Sequence, residues 1–241
     1  MRMKVINPSS STYHKGGFMH TDYFNAAGQQ VPSVTTVLKI MNKDGIIEWA
    51  NAIGKRGIDY KRFLENKANF GSLVHELVES DLLNKEPVVI GFERVMEEAM
   101  DMVKKFQLVK TDLQISNVQS ELSLTCDTYG GTIDIICDIV SGDSNITILG
   151  DFKTSKTVYD TQFIQLGAYL NLVKINMPEV YERIKQCVIF SITSDKITMR
   201  YISREDCEKY FTPLFMSLLD VYNAWNNIQT IRNDLFKSKL Y

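Results

Sequence analysis

The chain has 241 residues, 44% of them hydrophobic, which is enough to bury the core of one elaborated domain. Its net charge of −2 excludes a protein that coats duplex nucleic acid nonspecifically, since such proteins are strongly basic. No apolar run reaches the ~20 residues that span a bilayer, and the opening MRMKVINPSSSTY lacks the apolar core of a signal peptide, so a soluble, cytoplasmic protein is expected.

Residues 1–32 are polar and turn-rich, with Gly16-Gly17, Gly28 and Pro32, and predict an arm carrying one short hairpin through Tyr23-Phe24 and Val31. The remaining residues, 33–241, predict a single domain with a helical insertion over about 33–110. Ser33 to Met41 predicts a short capped helix, and Ile46 to Glu65 a helix interrupted near Gly54 and Gly57. From Asn69 to Leu83, Phe70, Leu73, Val74, Leu77, Val78 and Leu82 recur at helical spacing and form a core stripe. Pro87 breaks the chain before a helix over 92–108. Strands follow near 117–125, 131–140 and 145–153, the last two joined by the turn Ser141-Gly142-Asp143-Ser144. A helix over 159–176 predicts Phe163, Leu166, Leu170 and Val173 as its buried stripe, with Gln165 and Tyr169 beside it. It is long enough to cross over to a parallel neighbour. Strands near 186–193 and 196–202 flank Ser194-Asp195, and Ser203 caps a C-terminal helix running into the 230s. The fold class that follows is α/β: a central mixed β-sheet flanked by helices.

Chemistry concentrates in GTIDII (131–136) and ILGDFKTSK (148–156). Residues i and i+2 of a strand share a face, so Asp151 and Lys153 point the same way. The hairpin brings Asp134 and Asp151 together across the strand pair. Two carboxylates at one buried edge repel and lose hydration, and a hard cation between them removes both penalties. Mg²⁺ accepts such oxygens at about 2.0–2.1 Å and keeps open water positions. Carboxylates, cation and ammonium together suit chemistry on phosphate esters. Taken alone, Asp-x-Lys is a weak motif, and a charged hairpin facing water is its ordinary explanation. On the 69–83 helix, Gly71, Ser72, His75 and Glu79 form a strip beside the apolar one, where small residues permit close approach of a metal or phosphate; a solvated surface histidine is the plainer alternative. Lys55, Arg56, Lys61, Arg62 and Lys67 are interleaved with Trp49, Tyr60, Phe63 and Phe70, a pattern open to base stacking at about 1–3 kcal/mol per base or to ordinary core packing.

Taken in order, His75, Gly131-Thr132-Ile133-Asp134, Asp151-Phe152-Lys153 and Gln165-Leu166-Gly167-Ala168-Tyr169 resemble the motifs of the PD-(D/E)xK nuclease superfamily in its RecB-like exonuclease branch. Val31-Pro32-Ser33-Val34-Thr35-Thr36-Val37-Leu38 also looks like the start of phage-type members and of the mitochondrial genome maintenance exonuclease. The resemblance covers roughly residues 30–205 and implies a restriction-endonuclease-like core. It implies Asp134, Asp151, the Phe152 backbone carbonyl and His75 as ligands of one or two Mg²⁺ or Mn²⁺ ions. A nitrogen ligand makes Mn²⁺ a suitable metal. It implies Lys153 as the residue that orients or deprotonates the attacking water, Thr154 and Ser155 as phosphate contacts, and Gln165 and Tyr169 as substrate-side residues. Glu79 and Glu121 are weaker supporting candidates.

The implied activity is metal-dependent hydrolysis of DNA, on single strands or ends, in replication, recombination or repair, with DNA and proteins of those processes as partners and no membrane. A structure-specific endonuclease of the same fold, such as a junction resolvase, and a non-catalytic nucleic-acid-binding module are the alternatives. Several RecB-like relatives hold an iron–sulfur cluster with four cysteines. Here Cys126, Cys137, Cys187 and Cys207 include no Cys-x-x-Cys pair and the first lies beyond His75, so no such cluster is expected.

Overall fold

A computed structural model describes residues 21–41, 46–87, 89, 92 and 94–235, so the first twenty residues of the expected arm lie outside the described part. Its hairpin is present as β1 (Tyr23–Phe24) and β2 (Gln30–Val31). Helix α1 (Val34–Leu38) starts where Ser33 Oγ accepts the Thr36 N–H at 3.0 Å, and it buries Val34 and Val37. Helix α2 (Ile46–Lys55) ends before Gly57, and Asp59 then caps α3 (Tyr60–Leu83) by accepting the N–H groups of Lys61 and Arg62. The expected breaks are thus redistributed: the chain turns at 56–59 and then runs as one helix through 65–69, where no residue interrupts it. Helix α4 (Met96–Asp112) begins and ends four residues later than the hydrophobic pattern suggested.

The sheet has the order β3 (Ser116–Thr125), β4 (Gly130–Ser141), β5 (Ser144–Lys153), β6 (Ile184–Ile192), β7 (Ile197–Ser203). β4 and β5 are antiparallel across the expected turn. α5 (Asp160–Asn176) and the short α6 (Pro178–Arg183) carry the chain to β6, which pairs parallel to β5. The sheet is therefore mixed, with helices on both faces, as the element order implied. On one face α3 and α4 pack Leu73, Val74, Leu77, Phe106 and their neighbours against Ile135, Cys137, Ile148, Phe152 and Phe190. On the other, α1, α5 and the C-terminal helices cover Ile136, Leu149, Cys187 and Ile189.

Two expectations about the second face need correction. α5 has no single apolar stripe: every residue from Ile164 to Leu170 is buried, while Phe163 is only partly so. The sheet lies on one side of α5, and a long C-terminal helix closes the other. That C-terminal segment is not one regular helix. Ser203 caps a single turn, α7 (Arg204–Asp206), which passes through a wider π-turn at Cys207–Phe211 into α8 (Thr212–Leu235). The wide turn sits where Thr212 Oγ1 donates to the Gly167 carbonyl of α5 at 2.9 Å.

Candidate metal centre

The alternation of β4 and β5 places the charged groups. Ile148 and Phe152 point into the core under α3, and Leu149 into the core under α5, so Asp151 and Lys153 share the face of Leu149. Asp134 shares the face of Ile136 in the same way. The register pairs Ile135 with Gly150 and Ile136 with Leu149. Continued by one residue, it sets Asp134 opposite Asp151, as the hairpin argument required. The Phe152 N–H donates to Asp134 Oδ2 at 2.7 Å and fixes that carboxylate. α3 delivers His75, whose Nδ1 lies 3.6 Å from the same oxygen. The Phe152 ring meets the His75 ring edge-on at 6.0 Å, so the residue between the two motif charges also seats the imidazole.

All four groups open into one cavity of about 740 Å³. Thr154, Gln165, Tyr169, Glu121, Gly71 and Ser72 line it too. Gln165 Nε2 donates to the Tyr169 hydroxyl at 2.7 Å, and both side chains are buried. Gly131 is required by this arrangement: a Cβ there would stand 2.7 Å from the Tyr169 ring. At Gly71, also in the lining, a Cβ would press on Thr154 Oγ1 at 3.2 Å. Ser155 is not among the lining residues, and its hydroxyl donates to the Thr157 carbonyl. Glu79 also stands outside the lining.

Asp151 is wholly buried, and among the described residues Lys153 is the one group close to its carboxylate oxygens as a donor. Lys153 Nζ lies 2.5 Å from Asp151 Oδ2 and forms an ion pair with it. Burial pushes the Asp151 carboxyl up to about 6; Lys153 opposes the rise and Asp134 adds to it. Burial raises Asp134 as well, against the pull of Lys153 and the Phe152 N–H. Burial and then Lys153 bring His75 down to about 4, so its imidazole is neutral at pH 7 and free to donate a lone pair. Burial lifts the Tyr169 hydroxyl well above its ordinary range.

Glu121 gains weight from the structure. Its backbone is left-handed at φ 51° in the middle of β3, a conformation that costs a residue with a Cβ about 1–3 kcal/mol. Its neighbours Ser120 and Leu122 pair with Ile135 and Ile133, so the twisted residue stands across from Asp134 with its side chain in the cavity. It is solvent-exposed by area, yet crowding and the carboxylates of Asp134, Glu79 and Glu76 push it up to about 8. No composition or periodicity signal announces a left-handed residue inside a strand. Lys67, eight residues before His75 on α3, also lines the cavity. Its helical spacing from His75 was the available signal. Of the interleaved aromatics, Trp49 and Phe63 pack on each other at 5.7 Å, which is packing rather than an open stacking platform.

No family model matches the chain, and no curated protein sequence matches it. Among solved structures, the fold is similar to that of SSO0001, with 16% identity, a TM-score of 0.29, and coverage of 70% of this chain and 96% of that one. It is also similar to an alkaline exonuclease, LHK-Exo of Laribacter hongkongensis, with 11% identity, a TM-score of 0.37, and coverage of 84% and 94%. At these values neither likeness bears on the chemistry, which rests on the cavity itself.

The donor set suits a divalent cation. Among the described residues no three His, Cys, Asp or Glu side chains already converge on one point. Asp134 and His75 approach each other, while Asp151 leans on Lys153. Among the described residues Lys153 is nevertheless the one ammonium against two buried carboxylates, Asp151 and Asp134, and an oxygen-seeking ion would reduce the cost of holding both charges out of water. Oxygen donors with one neutral imidazole fit Mg²⁺ or Mn²⁺.

Proposed function

We propose that the chain is a metal-dependent deoxyribonuclease of the PD-(D/E)xK superfamily, RecB-like branch, acting as an exonuclease on single-stranded DNA or DNA ends. The observation that carries this reading is the wholly buried carboxylate of Asp151, held, among the described residues, by Lys153 alone in a cavity it shares with the second buried carboxylate, Asp134, and with His75. Asp134, Asp151, the Phe152 carbonyl and His75 would hold Mg²⁺ or Mn²⁺. Such an ion, when bound, supplies Lewis acidity toward water and the phosphoryl oxygens.

The chain's own groups do the rest. Lys153, as an ammonium, offsets charge on the phosphate and donates to the attacking water to orient it. Thr154, Ser72 and Lys67 face the cavity with the hydroxyl and ammonium donors that a phosphate accepts. Gln165 and Tyr169, locked to each other, shape the opposite wall. Glu121 places a carboxyl close to Asp134 and would support the ion from outside its ligand set. The near-neutral charge favours a strand or an end entering the cavity over a duplex lying across a basic face. The natural setting is DNA replication, recombination or repair.

The test is cleavage of end-labelled single-stranded, duplex and closed circular DNA, with RNA alongside, in Mg²⁺, Mn²⁺ or chelator. The proposal requires metal-dependent release of short products from linear DNA with circles left intact. Cleavage of circles would move the assignment to an endonuclease of the same fold. No cleavage of any substrate in either metal would end it.

A further inference from the structure

A second cavity, about 440 Å³, lies beside the first and shares Thr21, Tyr23 and Ser33 with it. Its far wall is α8, through Tyr222, Asn223 and Asn226, and its near wall is the β1–β2 hairpin, through Gln30 and Val31. Tyr23 is the partition. Its ring lies against Gly130, and its hydroxyl hydrogen-bonds Thr132 Oγ1 at 2.8 Å, two residues before Asp134 on the same face of β4. Whatever occupies the second cavity is therefore one wall away from the reacting phosphate.

The lining chemistry narrows the occupant. Among the described residues it contains no lysine or arginine, and the one charged residue there is Asp22, which repels a phosphate. Asp22 Oδ1 accepts from Gln30 Nε2 at 3.0 Å, and the Gln30 amide brings a carbonyl acceptor to the same lining. Asn223 and Asn226 each bring a donor and an acceptor on exposed amides, and Val31, Pro32 and the Tyr222 ring give apolar surface. Amides beside an aromatic ring and an apolar floor are the elements by which proteins hold an unstacked nucleobase. The volume is within the ordinary range for a small-ligand site.

We propose that this crevice is a nucleobase subsite: it holds the base of a nucleotide adjoining the scissile phosphate, with the sugar–phosphate chain passing over Ser33 and Tyr23 into the metal cavity. The inference rests on the proposed nuclease function and adds that the enzyme grips a base, not only the backbone. It makes Asn223 and Asn226 substrate-binding residues on a helix outside the sequence motifs.

The test is steady-state kinetics on a single-stranded oligonucleotide and on copies carrying an abasic nucleotide at successive positions from the cleaved end. Wild type is compared with Asn223→Ala/Asn226→Ala, with circular dichroism to check folding; a Gln30→Ala variant gives an independent approach to the same crevice. The subsite predicts that the double variant raises KM about five-fold or more with kcat within two-fold. It also predicts that one abasic position raises KM in wild type but adds nothing in the variant. Wild-type KM in both variants, or an abasic penalty that survives in both, overturns the subsite while leaving the nuclease reading intact. A wild-type protein inert on every DNA overturns both.

Discussion

Two charged clusters on this molecule use the same residue types to opposite ends. At the outer side of α5, Lys174 and the Tyr181 hydroxyl donate to the two oxygens of Glu208, and Arg204 lies over the Tyr181 ring at 5.0 Å. Glu208 is partly exposed, and these donors, Lys174 first, pull its carboxyl below the ordinary range. In the cavity, Asp151 is wholly buried beside a lysine of its own, and its carboxyl moves upward instead. Burial decides the sign in one case and hydrogen bonding in the other. The Glu208 cluster is complete within the chain. The Asp151 cluster has one ammonium for two buried carboxylates, Asp151 and Asp134, which is the shortage the proposed cation would make good.

Substitution breaks the contrast most sharply. Asp151→Asn or Lys153→Ala should lower DNA cleavage at least about a thousand-fold in a gel assay with Mn²⁺, because each removes charge from the reacting centre. Glu208→Gln should leave the same assay unchanged. Next in size, Glu121→Gln should reduce cleavage about 10–100-fold, the usual cost of losing a support behind metal ligands, with the circular dichroism spectrum retained.

Stability should move against activity. The metal-free Asp151 carboxyl is raised from 3.8 to about 6, so the folded protein pays for ionising it. The penalty is absent below pH 4, grows between pH 4 and 6, and is full at pH 7, where it amounts to at most about 3 kcal/mol. Asp151→Asn should therefore melt several degrees above wild type in chelator at pH 7, with the gap closing near pH 4. Removing charge from Glu208 should act in the other direction and weakly, within about 1 kcal/mol by denaturant titration, because that cluster is partly exposed and screened.

Much of this was legible in the sequence for a physical reason. The β4–β5 hairpin has short-range signals, namely β-branched runs and a Ser-Gly-Asp-Ser turn, and these fix which side chains share a face. The parallel β5–β6 pairing followed from the length of the crossover helix. What stayed hidden depends on contacts distant in the chain. α5 loses its amphipathic pattern because α8, arriving some fifty residues later, buries its outer side. Glu121 takes its role from a backbone twist inside β3. Tyr23 stands by β4 because the β1–β2 hairpin packs on Gly130. Gly71 lines the cavity as its spacing suggested, and the close approach it also allows, that of Thr154, was not readable from spacing. Ser155 follows the motif lysine in sequence, yet its hydroxyl turns to Thr157.

The direct check on the buried, undercompensated carboxylate is calorimetric titration of the metal-free protein with Mn²⁺ at pH 7, beside Asp151→Asn and Glu208→Gln. Wild type and Glu208→Gln should bind with the same affinity, and Asp151→Asn should show no saturable heat. Equal binding by Asp151→Asn, or no binding by wild type, would contradict the account.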